Sequence, residues 1–233
     1  MRRILSTVTF VALAAGIVLA QTSTPKTAQA VKPSDPDKAV KGSGKLPPEW
    51  KVRFDQPTAK IDAVSFENTG TGFHITSGPA AIYYMPRVTS GKYKTQATFT
   101  QVAASAHPEA YGLFIGGSDL DGENQKYTYF VINQTGKFLI KRRAGAETPT
   151  LMNWADSTAI KKADASGKMT NALTIDVAAD KVHFLINNTV VASQPVAQVD
   201  TKGLTGIRVN HNLDVIVEAL MLSADAASGS PKH

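Results

Sequence analysis

Between Tyr111 and Leu222 the chain repeatedly alternates apolar and polar residues over short runs with turn residues between them. The runs are A-Y-G-L-F-I-G-G, then K-Y-T-Y-F-V-I-N, Q-T-G-K and F-L-I-K-R-R, then A-L-T-I-D-V, A-A-D-K and V-H-F-L-I, and finally G-I-R-V-N-H-N-L-D-V-I-V-E-A-L-M-L. A period of two sends successive side chains to opposite faces of a sheet, so each run predicts a half-buried strand in an antiparallel stack. A helical period is nearly absent. The expected class is all-β, a two-sheet antiparallel sandwich, and no repeat of 20 to 50 residues argues for a propeller or solenoid.

The two ends differ from this middle. Met1-Arg2-Arg3 is followed by an apolar run from Ile4 to Ala20, the layout of an export signal with cleavage expected before Gln21. An uncleaved anchor is the competing reading, and Ala28-Gln29-Ala30 is a second cleavage candidate. Residues 21–48 are Thr, Ser, Pro, Ala, Lys, Asp and Gly without apolar periodicity and are expected to be a disordered linker. Residues 49–222 form the folded unit, and residues 223–233 a loose tail. The expected location is periplasmic or extracellular, with no membrane span after cleavage.

The chain contains no cysteine, which excludes disulfides, a thiolate nucleophile and a lipidated N-terminal Cys. Losing Arg2 and Arg3 lowers the formal charge of +6 by two, to +4. Only Lys141-Arg142-Arg143 and Lys161-Lys162 cluster, which is no footprint for nucleic acid.

Strands are expected at 50–54, 65–68, 72–76, 80–84, 91–102, 110–116, 126–133, 137–143, 171–177, 181–187, 189–192 and 203–222, the last broken in two. Residues 144–167, with Trp154, read as irregular, with a short helical turn near 155–160. Trp50 reads as a core plug. One residue of Tyr83-Tyr84 should be buried.

The series of a Gly-x-Tyr strand, Y-G-L-F-I-G-G, a Tyr-rich strand, Q-T-G-K, a basic strand, a Trp-bearing connection, D-V-A-A-D-K-V-H-F-L-I-N and G-I-R-V resembles the concanavalin A-like lectin/glucanase superfamily, near its laminin-G-like and 3-keto-disaccharide hydrolase-like members. The likeness spans residues 91–222. It implies a jelly-roll sandwich with one concave sheet that commonly meets a glycan. The hydrolase-like members carry an Asp-Phe strand, a Glu/Arg strand and Asn-Ser-Gly; here the corresponding strands read A-T-F-T and A-Y-G-L-F. Glu-x-Asp-x-x-Glu is also absent, so no catalytic residue carries over.

Several constellations could carry chemistry. Alternation places Arg208, Asn210 and Asn212 on one strand face and Ile207, Val209 and His211 on the other. Such a polar row faces water or lines a groove, where guanidinium and amide groups suit sugar hydroxyls or carboxylates. Tyr127 and Tyr129 share a face and can stack on a sugar ring or pack in the core. Lys141 and Arg143 share a face opposite Arg142. Trp154 is a candidate rim aromatic. Glu109 and His211 are candidates for acid–base work on a glycoside, and with His107 for a metal site without a diagnostic spacing. Asp119, Asp121 and Glu123 surround Gly122 on a turn and are candidate Ca²⁺ ligands, or an exposed acidic turn. The leading reading is a non-catalytic glycan-binding domain using Tyr111, Tyr129, Arg143, Trp154, Arg208, Asn210 and His211. The alternatives are a glycoside-cleaving enzyme and a structural or adhesive envelope protein.

Overall fold

The computed structural model describes residues 36–224; the expected export signal, the first part of the expected linker and most of the expected tail lie outside them. Fourteen strands run in the order β1 (Lys51–Phe54), β2 (Val64–Asn68), β3 (Gly72–Ser77), β4 (Ala81–Thr89), β5 (Tyr93–Gln101), β6 (Ala110–Ser118), β7 (Lys126–Asn133), β8 (Lys137–Ala144), β9 (Thr150–Asp156), β10 (Met169–Val177), β11 (Lys181–Ile186), β12 (Thr189–Pro195), β13 (Gly203–Val209) and β14 (Leu213–Ala224). They form two seven-stranded sheets. The first is ordered β1-β4-β13-β6-β7-β8-β9 and the second β12-β11-β10-β5-β14-β3-β2. Neighbours pair antiparallel throughout both sheets. The all-β sandwich expected from the alternation is what the chain forms.

Alternation settles which residues meet between the sheets. From the first sheet come Tyr83, Tyr111, Leu113, Phe130, Ile140 and Ile207; from the second come Ile75, Phe99, Leu173, Phe184 and Val215, all buried in one cluster. Trp50 plugs one part of this core. Its ring centroid lies 5.0 Å from that of Phe66 and 4.9 Å from that of Phe73. Both Tyr83 and Tyr84 are buried, not one of them, because Tyr83 enters the inter-sheet core while Tyr84 joins Ile82, Phe114, Leu120 and Tyr127 in a second apolar cluster.

Two local readings are corrected. Residues 144–167 are not wholly irregular: β9 pairs with β8, carries Trp154 and runs to Asp156, where a helical turn was expected, and only turn residues follow. Its period was hidden by register shifts on either side of Ile140. The polar row after Arg208 also breaks. β13 stops at Val209, and Asn212 takes a φ of 58°, a left-handed turn conformation that Asn tolerates, so Asn212 no longer shares a face with Arg208.

The part of the linker segment that is described lies along the domain. Lys38 N donates to Asn212 Oδ1 at 2.6 Å, Asn212 Nδ2 donates to Pro36 O at 3.1 Å, and Gly42 N donates to Asp62 O at 3.2 Å. Leu46 packs on the core. These residues have no regular structure, but their backbone groups are partly satisfied by the sandwich.

Candidate functional site

The face of the first sheet that points away from the core carries an unusual mixture for a sandwich exterior. Arg53 is paired in register with Ile82, Ile82 with Arg208, and Arg208 with Gly112. Phe114 lies opposite Tyr129. Tyr129 lies opposite Lys141, and Tyr127 opposite Arg143. Side chains opposite one another on a sheet are direct neighbours, so strands β1, β4, β13, β6, β7 and β8 lay cations and aromatics side by side across this face. Trp154 joins it at the edge. Its neighbour Ala155 pairs with the core residue Phe138, so alternation turns Trp154 outward, where it is 40% exposed.

Arg208 organises the centre. It is only 6% exposed, and its two terminal nitrogens each donate to an Asp55 carboxylate oxygen at 2.6 Å. Its Nε donates to Asn210 Oδ1 at 3.0 Å, and its guanidinium carbon sits 5.4 Å from the centre of the Tyr129 ring. Burial alone would raise the Asp55 carboxyl, but the Arg208 charge and hydrogen bonds outweigh it and hold that carboxyl below its ordinary range. Burial likewise works against the Arg208 cation, yet Asp55 keeps it more firmly protonated than usual. Burial pushes Tyr127 and Tyr129 up, so both remain neutral hydroxyls. Arg208 is thus a support beneath the face, its charge matched internally.

A second polar group sits where β6 begins and β13 ends. Asn210 Nδ2 donates to Glu109 Oε2 at 3.2 Å; His211 Nε2 lies 2.8 Å from Glu109 Oε1, and His211 Nδ1 lies 3.2 Å from Asp37 Oδ1. Partial burial opposes the imidazolium, but the two carboxylates prevail and raise the His211 pKa. Glu109 and His211, the candidates for acid–base chemistry, do meet, as an ion pair with both carboxylate oxygens of Glu109 engaged. Asp55 and Asp37 are the partners that sequence reasoning missed. Neither has a local signature, because Asp55 lies 153 positions from Arg208 and Asp37 lies 174 from His211.

At the other end, the β6–β7 turn folds over the face. Leu120 is buried, its carbonyl accepts from Arg53 at 3.0 Å, and Asp121 accepts from the Tyr84 hydroxyl at 3.1 Å. Burial first, and Asp121 second, push the Tyr84 hydroxyl up to about 12. Asp119, Asp121 and Glu123 do not converge on a common point, and among the described residues no group of three His, Asp or Glu side chains could hold a metal ion, the His107, Glu109 and His211 set included.

The seven residues expected to touch a ligand therefore divide. Tyr111 belongs to the inter-sheet core, 0% exposed with its ring 5.5 Å from that of Phe99, and does not reach this face. Arg208, Asn210 and His211 are tied together through Asp55 and Glu109. Tyr129, Arg143 and Trp154 remain as the surface-reaching set, with Lys141 beside them. A separate cleft of about 230 Å³, lined by Trp50, Met85, Arg87, Thr205, Leu220 and Met221 among others, includes none of these residues.

No family profile matches the sequence, and no curated protein does. Solved structures do. The chain is similar to the carbohydrate-binding module CBM66 from Bacillus subtilis, with a TM-score of 0.55 and 9% identity over 76% of this chain and 96% of that one. It is similar to an alginate lyase (TM-score 0.52, 13% identity, 76% of this chain and 95% of that one). It is also similar to a glycoside hydrolase family 16 endo-glucanase from Bacteroides ovatus (TM-score 0.51, 8% identity, 72% and 92%). The chain has the concanavalin A-like lectin/glucanase fold, one shared by binding modules and by enzymes.

Proposed function

We propose that this protein is an exported, non-catalytic glycan-binding domain whose ligand lies across β7, β8 and β9 on the outer face of the first sheet. The observation that carries this reading is the cross-strand ladder Tyr127–Arg143 and Tyr129–Lys141 running toward the exposed Trp154. An indole at a sheet edge can stack on the apolar side of a sugar ring while neighbouring cations and hydroxyls meet its oxygens. The binding module and the endo-glucanase whose backbones are similar make a carbohydrate ligand the natural first candidate, by analogy of fold. The basic start Met1-Arg2-Arg3 and the apolar run to Ala20 support export to the periplasm or beyond. Among the described residues no helix is long and apolar enough to cross a membrane.

The state of the carboxylates supports the non-catalytic reading. Glycoside cleavage ordinarily uses two carboxyl groups, one able to give a proton and one able to take a charge or activate water. Asp55 is matched by Arg208, and Glu109 is held by His211 and Asn210. The enzyme reading retains one supporting observation, the 2.8 Å contact of Glu109 with His211. A glycan array, followed by affinity electrophoresis and a reducing-end assay on the same sugars, separates the readings. Binding without sugar release, weakened about tenfold by Trp154→Ala, is the expected result. Sugar release abolished by Glu109→Gln would replace it with the enzyme reading. Neither binding nor release would leave a structural or adhesive envelope role.

A further inference from the structure

The charges on this face do not balance. β8 presents cations in both directions, and they are treated differently. Arg142, pointing to the opposite side, is closed off by Asp200, with its Nε and one terminal nitrogen donating at 2.8 and 3.0 Å. Lys141 and Arg143 have no such carboxylate: among the described residues neither makes an ion pair, and the Nε of Arg143 is buried with no hydrogen-bond partner at all. A buried guanidinium nitrogen without an acceptor is costly, and native structures rarely leave one so unless something else supplies the acceptor. No acidic group on the face does so: Asp55 feels the Arg143 charge but has its two hydrogen bonds on Arg208, and Asp121 accepts from Tyr84.

Resting on the glycan-binding reading above, we infer that the ligand is an acidic glycan, whose ring carboxylates are met by Arg143 and Lys141 while the rings lie against Tyr129 and Trp154. The geometry suits that chemistry. Arg143 and Lys141 are two positions apart on one strand, about 7 Å along it, so each can address a separate carboxylate of one chain. Lys141 stands directly across from the half-buried Tyr129, while Tyr127, opposite Arg143, is buried beneath the face. An aromatic face beside a cation matches a uronate ring, which carries an apolar C–H face and a planar carboxylate. The terminal edge of a guanidinium, with its two NH2 groups, can bind a carboxylate through two parallel hydrogen bonds, and in Arg143 that edge makes no ion pair among the described residues.

The test uses the full chain with polygalacturonate, its fully methyl-esterified form and a sulfated dextran, measured by affinity electrophoresis and calorimetry. The ester keeps the backbone and the stacking faces and replaces each carboxylate by a neutral methyl ester. Expected are binding of the free acid at least about tenfold tighter than the ester, weakening with added salt, and a loss of about tenfold with Arg143→Gln or Lys141→Gln. Arg143→Lys should recover only part of the loss, since it restores the charge without the two-pronged edge. Lys94→Gln, on the second sheet, should change nothing, and thermal melts confirm that each variant is folded. Equal binding of acid and ester, or of wild type and both Gln variants, overturns the acidic assignment while leaving glycan binding in place. Preference for the sulfated dextran overturns the carboxylate assignment. Failure to bind any glycan on an array removes both readings.

Discussion

The Asp55–Arg208 pair shows how one charge can be placed inside an apolar sheet face. Arg208 sits among Ile82, Phe114 and the tyrosines with its side chain 8% exposed, a position tolerable for a cation only because a carboxylate grips it with two hydrogen bonds. Asp55→Asn keeps the size of the side chain and removes that match, so it should cost about 3 kcal/mol in chemical denaturation. The double variant Asp55→Asn with Arg208→Met should recover much of the loss, because it no longer strands a charge. The same pair sets an acid limb. The Asp55 carboxyl is depressed in the folded protein, so its contribution is complete above the unfolded value of about 3.9 and disappears as pH falls through the lower folded value. Asp55→Asn should flatten that limb in pH-dependent melts. His211 has the opposite sign. Its folded pKa is raised by Glu109 and Asp37 against partial burial, so its contribution is complete below about pH 6.5 and is lost as pH rises through the folded value. Thermal melts between roughly pH 5 and pH 9 should show this decline in wild type and lose it in His211→Gln.

Among the elements, β13 has little room to change. It is inserted between β4 and β6, far from both in sequence, and its register shifts between Leu204 and Gly206 against both neighbours. At Gly206 the neighbouring chain comes so close that a Cβ would stand 2.1 Å from the Tyr83 carbonyl oxygen and 2.7 Å from the Phe114 ring. Gly206→Ala should therefore destabilise by about 2 kcal/mol or more, and Gly206→Val should prevent folding, as read by urea denaturation and soluble yield. The strands were legible in the sequence wherever one face meets the core and the other does not. β9 was not, because its register with β8 is irregular and its burial mixed, from exposed Asn153 and Trp154 to partly buried Leu151 and Met152. Period-two reading needs an undisturbed ladder, and bulges remove it.

At the scale of the whole molecule, the sandwich is closed by chain that has no secondary structure. Residues 36–48 satisfy the turn at Asn212, contact Asp62 and place Leu46 on the core. A chain beginning at residue 49 should melt several degrees below one beginning at residue 36, since one buried apolar side chain and a few hydrogen bonds amount to about 1–2 kcal/mol in a domain of this size. Equal melting temperatures would reduce the segment to a spectator. Composition alone gave no hint of this role, because Pro, Lys and Gly in that stretch read the same whether solvated or laid along a sheet. A period of two and the need to bury Val, Ile, Phe and Tyr leave little choice of fold class, or of which residues in a regular strand share a face, so both were readable from the residues. Alternation placed Tyr127 with Tyr129 and Lys141 with Arg143 correctly on shared faces. Assembly of the two sheets chose which shared face is core and which is surface, sending Tyr111 inward, bringing Asp55 to Arg208 and Asp37 to His211, and leaving the Arg143 Nε without an acceptor. Those outcomes depend on strand order and on contacts across more than a hundred residues, and side-chain alternation carries no information about either.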